Sequence, residues 1–322
     1  MNRKTFLSLL LLAAASAVHA QHAWPAKPIK IMVPYPAGGG ADLLARALSQ
    51  RLAEALGQPV LVENRAGANG AIGTDAVAKA APDGYTLLLG NVGPNAIAQA
   101  LYPKLPYHCV KDFAPIGQIG TTAHVLAVHP SVPAKNVQEL IALAKSSPGK
   151  LAYASTGIGG SPHLAAELFD LMAGVKMHHV PYKGATPANA DLIGGQVALS
   201  FNTLPPLLAQ VKAGKVRALA VTTARRAHTM PDLPTIAESA LPGYDVSTWY
   251  GLLAPAATPR EIVLRVNTEL NRIVQDPEMK AQLAAKGFEV ESGTPEQFGS
   301  LISTEVEKWT KVVKAANVRI EE

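Results

Sequence analysis

The stretch "PYPAGGGADLLAR", residues 34–46, places three consecutive glycines between an apolar run and an amphipathic segment. The run before it, Ile29–Val33, has the composition of a buried strand. After it, leucines recur every four residues, as on one face of a helix (Leu44, Leu48, Leu52 and Leu56). A helix start offers unpaired N–H groups and a partial positive charge, and glycines leave a ligand room to reach them. The stretch therefore predicts a strand, an anion-binding loop and a helix.

The same arrangement recurs later in the chain. Residues 151–154 have a strand pattern, "STGIGGS" (155–161) is a second glycine loop, and residues 162–171 have a helical pattern. The hydroxyl groups of this loop add donors, and Ser161 is a natural N-cap before Pro162. Two loops of this kind indicate one anionic ligand held from two sides.

Short apolar runs alternate with helical patterns from residue 28 onward, which predicts parallel sheets covered by helices on both faces. The other predicted strands are 60–63, 85–89, 125–128, 197–201 and 216–221, and 177–180 is strand-like. Near the C-terminus, "TPRE" (258–261) and "TPEQ" (294–297) are predicted capping boxes that start helices. The last helix is expected to pack through one apolar face: Phe298, Leu301, Ile302, Val306, Trp309, Val312 and Val313.

The N-terminus has the pattern of an export signal. Arg3 and Lys4 precede an apolar run at residues 6–18, which is too short to span a bilayer, and a small-residue cleavage site ends at Ala20. Residues 1–20 are therefore predicted to be a secretory signal peptide of a soluble periplasmic protein. No cysteine follows the cleavage site, so no lipid anchor is expected, and the lone Cys109 cannot form an internal disulfide.

The charge is only mildly positive. The full chain carries +5, and removal of the two basic residues of the signal leaves +3. The chain has no run of Lys or Arg, which argues against a nucleic-acid or anionic-membrane partner.

Three other chemistries have partial matches in the sequence. A dinucleotide fingerprint would need a third glycine where Leu43 stands, although Glu63 ends the next strand at a suitable distance. Nucleophilic catalysis would need a G-x-S-x-G elbow, which is absent, or activation of Cys109 by its neighbour His108. These patterns predict neither a cofactor nor an enzyme.

A metal site is the third alternative. His163 and Glu167 stand four residues apart on a predicted helix, and His178 or His179 is a conceivable third ligand. The set matches no recognised ligand spacing, so no metal is expected.

Several phrases, in order along nearly the whole mature chain, resemble the periplasmic receptors of tripartite tricarboxylate transporters, also called Bug-type receptors. The phrases are "WPAKPIKIMVPYPAGGGADLLAR" (24–46), "VENRAGANGAIGT" (62–74), "APDGYTLLLG" (81–90), "YASTGIGGSPHLAAELF" (153–169), "VPYKGATPANADLIGGQVALSF" (180–201) and "AGKVRALAVTT" (213–223). The resemblance implies an α/β, two-lobe periplasmic binding fold of the Venus-flytrap, type II-like kind, each lobe a mostly parallel sheet flanked by helices. It places lobe 1 at 24–122 plus 224–322 and lobe 2 at 123–223.

The family also implies that the two loops face each other across a ligand cleft. Together with the glycine-loop argument, this gives the expected ligand-binding residues: Pro36, Ala37, Gly38, Gly39, Gly40, Asp42, Asn91, Ser155, Thr156, Gly157, Gly159, Ser161, Tyr182 and Asn202. Asp42 would repel an anion, so its expected task is to stabilise the helix start. His124 and Trp249 are weaker candidates, and Tyr35, Tyr182 or Trp249 could face a planar ring or simply pack.

The function that follows is a monomeric, non-enzymatic receptor whose lobes close on a small carboxylate. The family implies delivery to one large and one small integral membrane subunit. The alternative is a ligand sensor that docks on a signalling receptor, which needs the same ligand chemistry. The carboxylate itself stays open: tricarboxylates, amino-acid dicarboxylates and aromatic acids all fit.

Overall fold

The computed structural model describes residues 24–315 and Val318. The predicted signal peptide at 1–20 lies outside the described residues. Among the described helices, none combines the length and the apolar composition that crossing a bilayer requires.

The first sheet has the strand order β11-β4-β10-β3-β1-β2. Its strands are β1 (Ile29–Val33), β2 (Val60–Asn64), β3 (Thr86–Asn91), β4 (Phe113–Ala123), β10 (Ser247–Pro255) and β11 (Glu289–Val290). Strand β1 pairs in parallel with β2 and β3, so the carboxyl ends of these three strands lie at one edge. Strand β10 runs antiparallel between β3 and β4.

The second sheet has the order β7-β6-β8-β5-β9. Its strands are β5 (Val125–Val128), β6 (Ala152–Ser155), β7 (His178–Pro181), β8 (Leu199–Ser200) and β9 (Arg217–Val221). Strand β6 is parallel to β7 and β8, whereas β5 is antiparallel to β8 and β9. Both sheets are therefore mixed, which differs from the parallel sheets expected from strand and helix alternation.

Helices cover the two sheets and bury their apolar faces. They are α1 (Gly40–Leu56), α2 (Ala71–Ala78), α3 (Ala98–Leu101), α4 (Val137–Ser146), α5 (Ser161–Ala173), α6 (Ala185–Ile193), α7 (Leu204–Lys212), α8 (Ile236–Ser239), α9 (Arg260–Gln275), α10 (Pro277–Ala285) and α11 (Pro295–Ala315). The predicted leucine stripe of α1 is buried, as are Phe298, Ile302 and Trp309 of α11. These stripes attach both helices to the first sheet.

The two predicted capping boxes had different outcomes. At the start of α11, the Gln297 N–H donates to Thr294 Oγ1 (3.2 Å) and the Thr294 N–H donates to Gln297 Oε1 (2.8 Å). That box is confirmed. The box at 258–261 is wrong, because Pro259 is the N-cap of α9 and the Thr258 hydroxyl has no hydrogen-bond partner.

The chain passes between the two sheets at two places. It leaves β4 at Ala123 and enters β5 at Val125, so that His124 is the connecting residue. It returns between Val221 and Ser247, through a segment whose helix α8 contacts β9 and α4. The fold is thus a two-lobe α/β architecture, as the sequence predicted.

Candidate functional site

The first glycine loop connects β1 to α1. Gly38 has a φ of +86°, and Gly39 is the N-cap of α1 with no side chain to cap the helix. The Gly38 N–H donates to Asp42 Oδ2 (2.9 Å), so Asp42 does tie down the helix start, as predicted. The first N–H groups of the helix receive no side-chain cap.

The second loop connects β6 to α5 with the same design. Gly157 and Gly159 have φ values of +135° and +77°, and Gly160 is an N-cap without a side-chain hydrogen bond. The prediction that Ser161 is the N-cap is wrong, because the helix begins at Ser161 itself. Its hydroxyl instead lies 2.8 Å from Thr248 Oγ1 of β10.

Contacts between the lobes bring these loops together. Thr186 Oγ1 of α6 donates to the Ala37 carbonyl of the first loop (3.1 Å). The Ser161–Thr248 hydrogen bond also joins the second lobe to the first. A partly open cavity lies between these contacts. It is lined by Tyr35, Pro36, Gly39, Gly40, Ala41, Asn91, Thr156, Ser161, Pro162, Ala185, Thr203, Thr248 and Tyr250.

Four helix N-termini converge on this cavity. Gly40 begins α1, Ser161 begins α5, Ala185 begins α6, and Thr203 is the N-cap of α7. None of the four starts has a side-chain cap hydrogen bond. Each start adds a partial positive charge, and α1 adds unpaired N–H groups. The other three starts offer fewer N–H groups, because proline stands in the first turn (Pro162 in α5, Pro187 in α6, Pro205 and Pro206 in α7). The arrangement suits an anion.

The polar side chains that line the cavity are neutral hydroxyl and amide groups, and no lining side chain is charged. Burial raises the pKa of Tyr35 and of Tyr250, so both phenols stay protonated at neutral pH. Tyr35 donates to Asn91 Oδ1 (3.2 Å). A Cβ atom at Gly40 would lie 2.8 Å from the Tyr250 hydroxyl oxygen, so a larger residue there would displace that hydroxyl.

Six of the predicted residues line the cavity: Pro36, Gly39, Gly40, Asn91, Thr156 and Ser161. The others lie outside the lining: Ala37, Gly38, Asp42, Ser155, Gly157, Gly159, Tyr182 and Asn202. Ser155 and the loop glycines set the backbone conformation of the loops and do not face the cavity. The Tyr182 hydroxyl donates to Asp191 Oδ2 (2.6 Å), and Asn202 Nδ2 donates to Asn189 Oδ1 (2.6 Å), so both side chains serve lobe 2.

Sequence reasoning missed several lining residues. Thr248 and Tyr250 lie on β10, which was not predicted, and Thr203 directly follows a predicted residue. Tyr35 was considered only as a possible ring contact. A signal for it existed, because it stands inside the first quoted stretch.

The weaker candidates do not line the cavity. His124 is fully buried at the crossing between the sheets, with its Nε2 atom 2.7 Å from Thr248 Oγ1. The ring of Trp249 packs edge-on against Phe298, with 5.4 Å between the ring centroids. Burial raises the pKa of the Cys109 thiol to about 12, which removes its nucleophilic form at neutral pH. Within residues 24–315 and Val318, no group of three His, Cys, Asp or Glu side chains could hold a metal ion.

Comparison with known proteins gives the family. The profile described as "Tripartite tricarboxylate transporter family receptor" (TctC) matches residues 44–318. Protein BugT of Bordetella pertussis is 38% identical over 309 residues, which are 96% of this chain and 95% of BugT. The structure is similar to that of R. palustris Rpa4515 with adipate, at a TM-score of 0.90 and 37% identity, covering 92% of this chain and 99% of that one.

A second solved structure is MatC (Rpa3494) from Rhodopseudomonas palustris with bound malate. Its TM-score is 0.86 at 32% identity, covering 90% of this chain and all of that one (100%). These matches confirm the resemblance drawn from the motifs, and they are to solute-binding proteins and not to enzymes. The chain belongs to the tripartite tricarboxylate transporter receptor family and is a solute-binding receptor.

Proposed function

We propose that this receptor captures a small carboxylate in the cavity and delivers it to a tripartite tricarboxylate-type transporter with one large and one small membrane subunit. The observation that carries the proposal is the convergence of four helix N-termini without side-chain caps on a cavity with no charged lining side chain. A carboxylate accepts hydrogen bonds from such N–H groups and gains from the helix dipoles. A neutral solute would gain much less.

The related proteins support the ligand class. Rpa4515 was solved with adipate and MatC with malate, both dicarboxylates. Hydrogen bonds to a charged group contribute roughly 1.5–3 kcal/mol each. Protonated Tyr250 would add a phenol donor to those of the backbone. The side chains at the cavity wall would then select among carboxylates.

Lobe closure is the proposed mechanism. We assign the lobes to residues 24–122 with 224–322, and to residues 123–223, hinged where the chain passes between the sheets. The ligand would enter while the lobes are apart, and closing would reform the Thr186–Ala37 and Ser161–Thr248 contacts. The membrane subunits would distinguish loaded from unloaded receptor by the surface that closure creates.

We further propose export by the signal peptide at 1–20 and action in the periplasm as a soluble monomer. Delivery predicts that the loaded receptor co-purifies with the two membrane subunits and that the ligand-free receptor does not. Equal retention with and without ligand would contradict a closure-dependent delivery.

Ligand binding is tested by thermal shift on the mature protein, residues 21–322. The probes are malate, adipate, citrate, aspartate, glutamate, nicotinate and terephthalate, with adipamide as the uncharged counterpart of adipate. At about a thousand times its dissociation constant, a ligand adds roughly 4 kcal/mol of stability. The melting temperature should then rise by several degrees, at roughly 2–4 °C per kcal/mol. An equal shift with adipate and adipamide would refute recognition of the carboxylate.

A further inference from the structure

Each glycine loop is held by a side chain from the third residue of the helix that follows it. In α1, the third helical residue, Asp42, reaches back and accepts the N–H of Gly38 (2.9 Å). In α5, the third helical residue, His163, reaches back and accepts the N–H of Gly159 at Nδ1 (3.1 Å). In both cases the donor precedes the N-cap glycine. Each loop is therefore fixed from inside its own lobe, and the N–H groups at the helix start remain available.

The two acceptors are a carboxylate and an imidazole. Burial raises the pKa of Asp42, but hydrogen bonds from Arg46, the Gly38 N–H and Asn64 outweigh it and hold that pKa below its usual value. The carboxylate is therefore ionised and an acceptor at neutral pH. His163 accepts only through a lone pair on Nδ1, so its ring must be neutral with the proton on Nε2.

The surroundings of His163 favour that tautomer. Its Nε2 lies 3.5 Å from Glu167 Oε1, and this pairing with His163 is the first cause that lowers the pKa of Glu167. An ionised Glu167 attracts the Nε2 proton and leaves Nδ1 free to accept. Glu167 also accepts a hydrogen bond from the Tyr153 hydroxyl (2.7 Å).

A second histidine supports the other side of the loop. The ring of His179 stacks on His163 with 4.1 Å between centroids and 14° between planes. Its Nε2 lies 2.6 Å from Ser155 Oγ, which accepts the N–H of Gly157 (3.2 Å). The stacked pair thus contacts both arms of the loop that presents Thr156 to the cavity.

Burial lowers the pKa of His179 to about 3, so this ring is neutral at neutral pH.

We propose that His163 is a positioning residue for ligand binding: by accepting the Gly159 N–H at Nδ1, it holds the second loop in the shape that receives the carboxylate. Asp42 has the corresponding task in the first loop. This inference rests on the proposed carboxylate function.

The test compares His163→Asn with His163→Leu. Asparagine places Oδ1 where the imidazole has Nδ1, so it keeps an acceptor for Gly159. Leucine removes the acceptor. Affinity for malate, or for the acid of the panel that shifts the melting temperature most, is measured by calorimetry at neutral pH.

His163→Asn should bind like wild type, and His163→Leu should bind roughly tenfold more weakly, the factor that corresponds to one hydrogen bond. His178→Asn is the control, since His178 is exposed on β7 beside His179, and it should keep the wild-type affinity. Normal affinity of His163→Leu, or an affinity of His163→Asn as low as that of His163→Leu, would overturn the proposal.

A ligand-independent measurement separates this inference from the proposed function. Amide hydrogen exchange of residues 155–161 in the ligand-free protein should be faster in His163→Leu than in His163→Asn, because only the latter still holds the Gly159 N–H. If no carboxylate in the panel binds, the proposed function fails, while the exchange result still decides whether His163 holds the loop. Equal exchange in the two variants would refute that role.

Discussion

Acid should destabilise this protein through His124, which connects the two sheets. The side chain is fully buried, and its Nδ1 has no hydrogen-bond partner. Burial lowers the pKa of His124 to about 3, whereas a histidine in an unfolded chain has a pKa of about 6.5. The native ring therefore stays neutral over a pH range in which the unfolded ring takes up a proton.

The direction and size of the effect follow from this difference. Below about pH 6.5 only the unfolded state binds the proton, so the free energy of unfolding falls as the pH falls. The loss is roughly 1.4 kcal/mol per pH unit, or roughly 2 kcal/mol between neutral pH and about pH 5. It continues until the pH reaches the native pKa of about 3. Burial also lowers the pKa of His179 to about 3, which acts in the same direction.

The measurement is urea unfolding at about pH 7.5 and about pH 5, on wild-type protein and on His124→Gln. Glutamine does not titrate, and its terminal amide can replace Nε2 in the hydrogen bond to Thr248. Between the two pH values the variant should lose roughly 2 kcal/mol less than wild type. Because each protein is compared with itself, a lower starting stability of the variant does not matter. Equal losses would show that His124 does not exclude the proton, and would refute the reasoning from burial.

Three further substitutions test the site. Gly39→Val should weaken carboxylate binding at least tenfold in calorimetry, because its branched side chain fills the cleft. The protein should still fold, since a Cβ at this position meets Ala185 only at 3.9 Å. Gly39→Ala is the control, and equal affinities of the two variants would show that the first loop is not part of the site. Tyr250→Phe should weaken binding roughly 3- to 10-fold in calorimetry, by loss of one donor; unchanged affinity would show that the hydroxyl does not contact the ligand. Asp42→Ala should lower the free energy of urea unfolding by roughly 2 kcal/mol, because the Gly38 N–H and Arg46 lose their shared acceptor. An unchanged midpoint of urea unfolding would contradict a stabilising role of these hydrogen bonds.

Local patterns predicted part of the fold and not the rest. Strand β1 appeared at the predicted residues because it is a continuous apolar run, and α1 because its leucines share one face. Strand β4 was missed because glycine, threonine and proline interrupt its apolar positions. Its place in the sheet depends on antiparallel pairing with β10, a partner more than one hundred residues away. Pairing at that distance leaves no local pattern to read.

The candidate site was likewise predicted only in part from the sequence. Both glycine loops were predicted, since each is a contiguous stretch between a strand and a helix. The hydroxyl groups of Thr248 and Tyr250 reach the cavity only because β10 is inserted between β3 and β4. Ser161 was assigned the wrong task because the helix begins one residue earlier than Pro162 suggested, with Gly160 as the cap. The part of the site that depends on tertiary pairing therefore needed the structure.

The helices at the cleft have glycine at the N-cap position, whereas other helices of this protein have a capping side chain there. Asn136 and Thr235 cap α4 and α8 by accepting an N–H of the first turn. A cap of this kind uses the donors that an anion would need. Helices α1 and α5 have glycine caps and are tied one residue earlier by Asp42 and His163. The loops are thereby fixed while the first N–H groups stay free, so a bound carboxylate would take the position that a capping side chain has in α4 and α8.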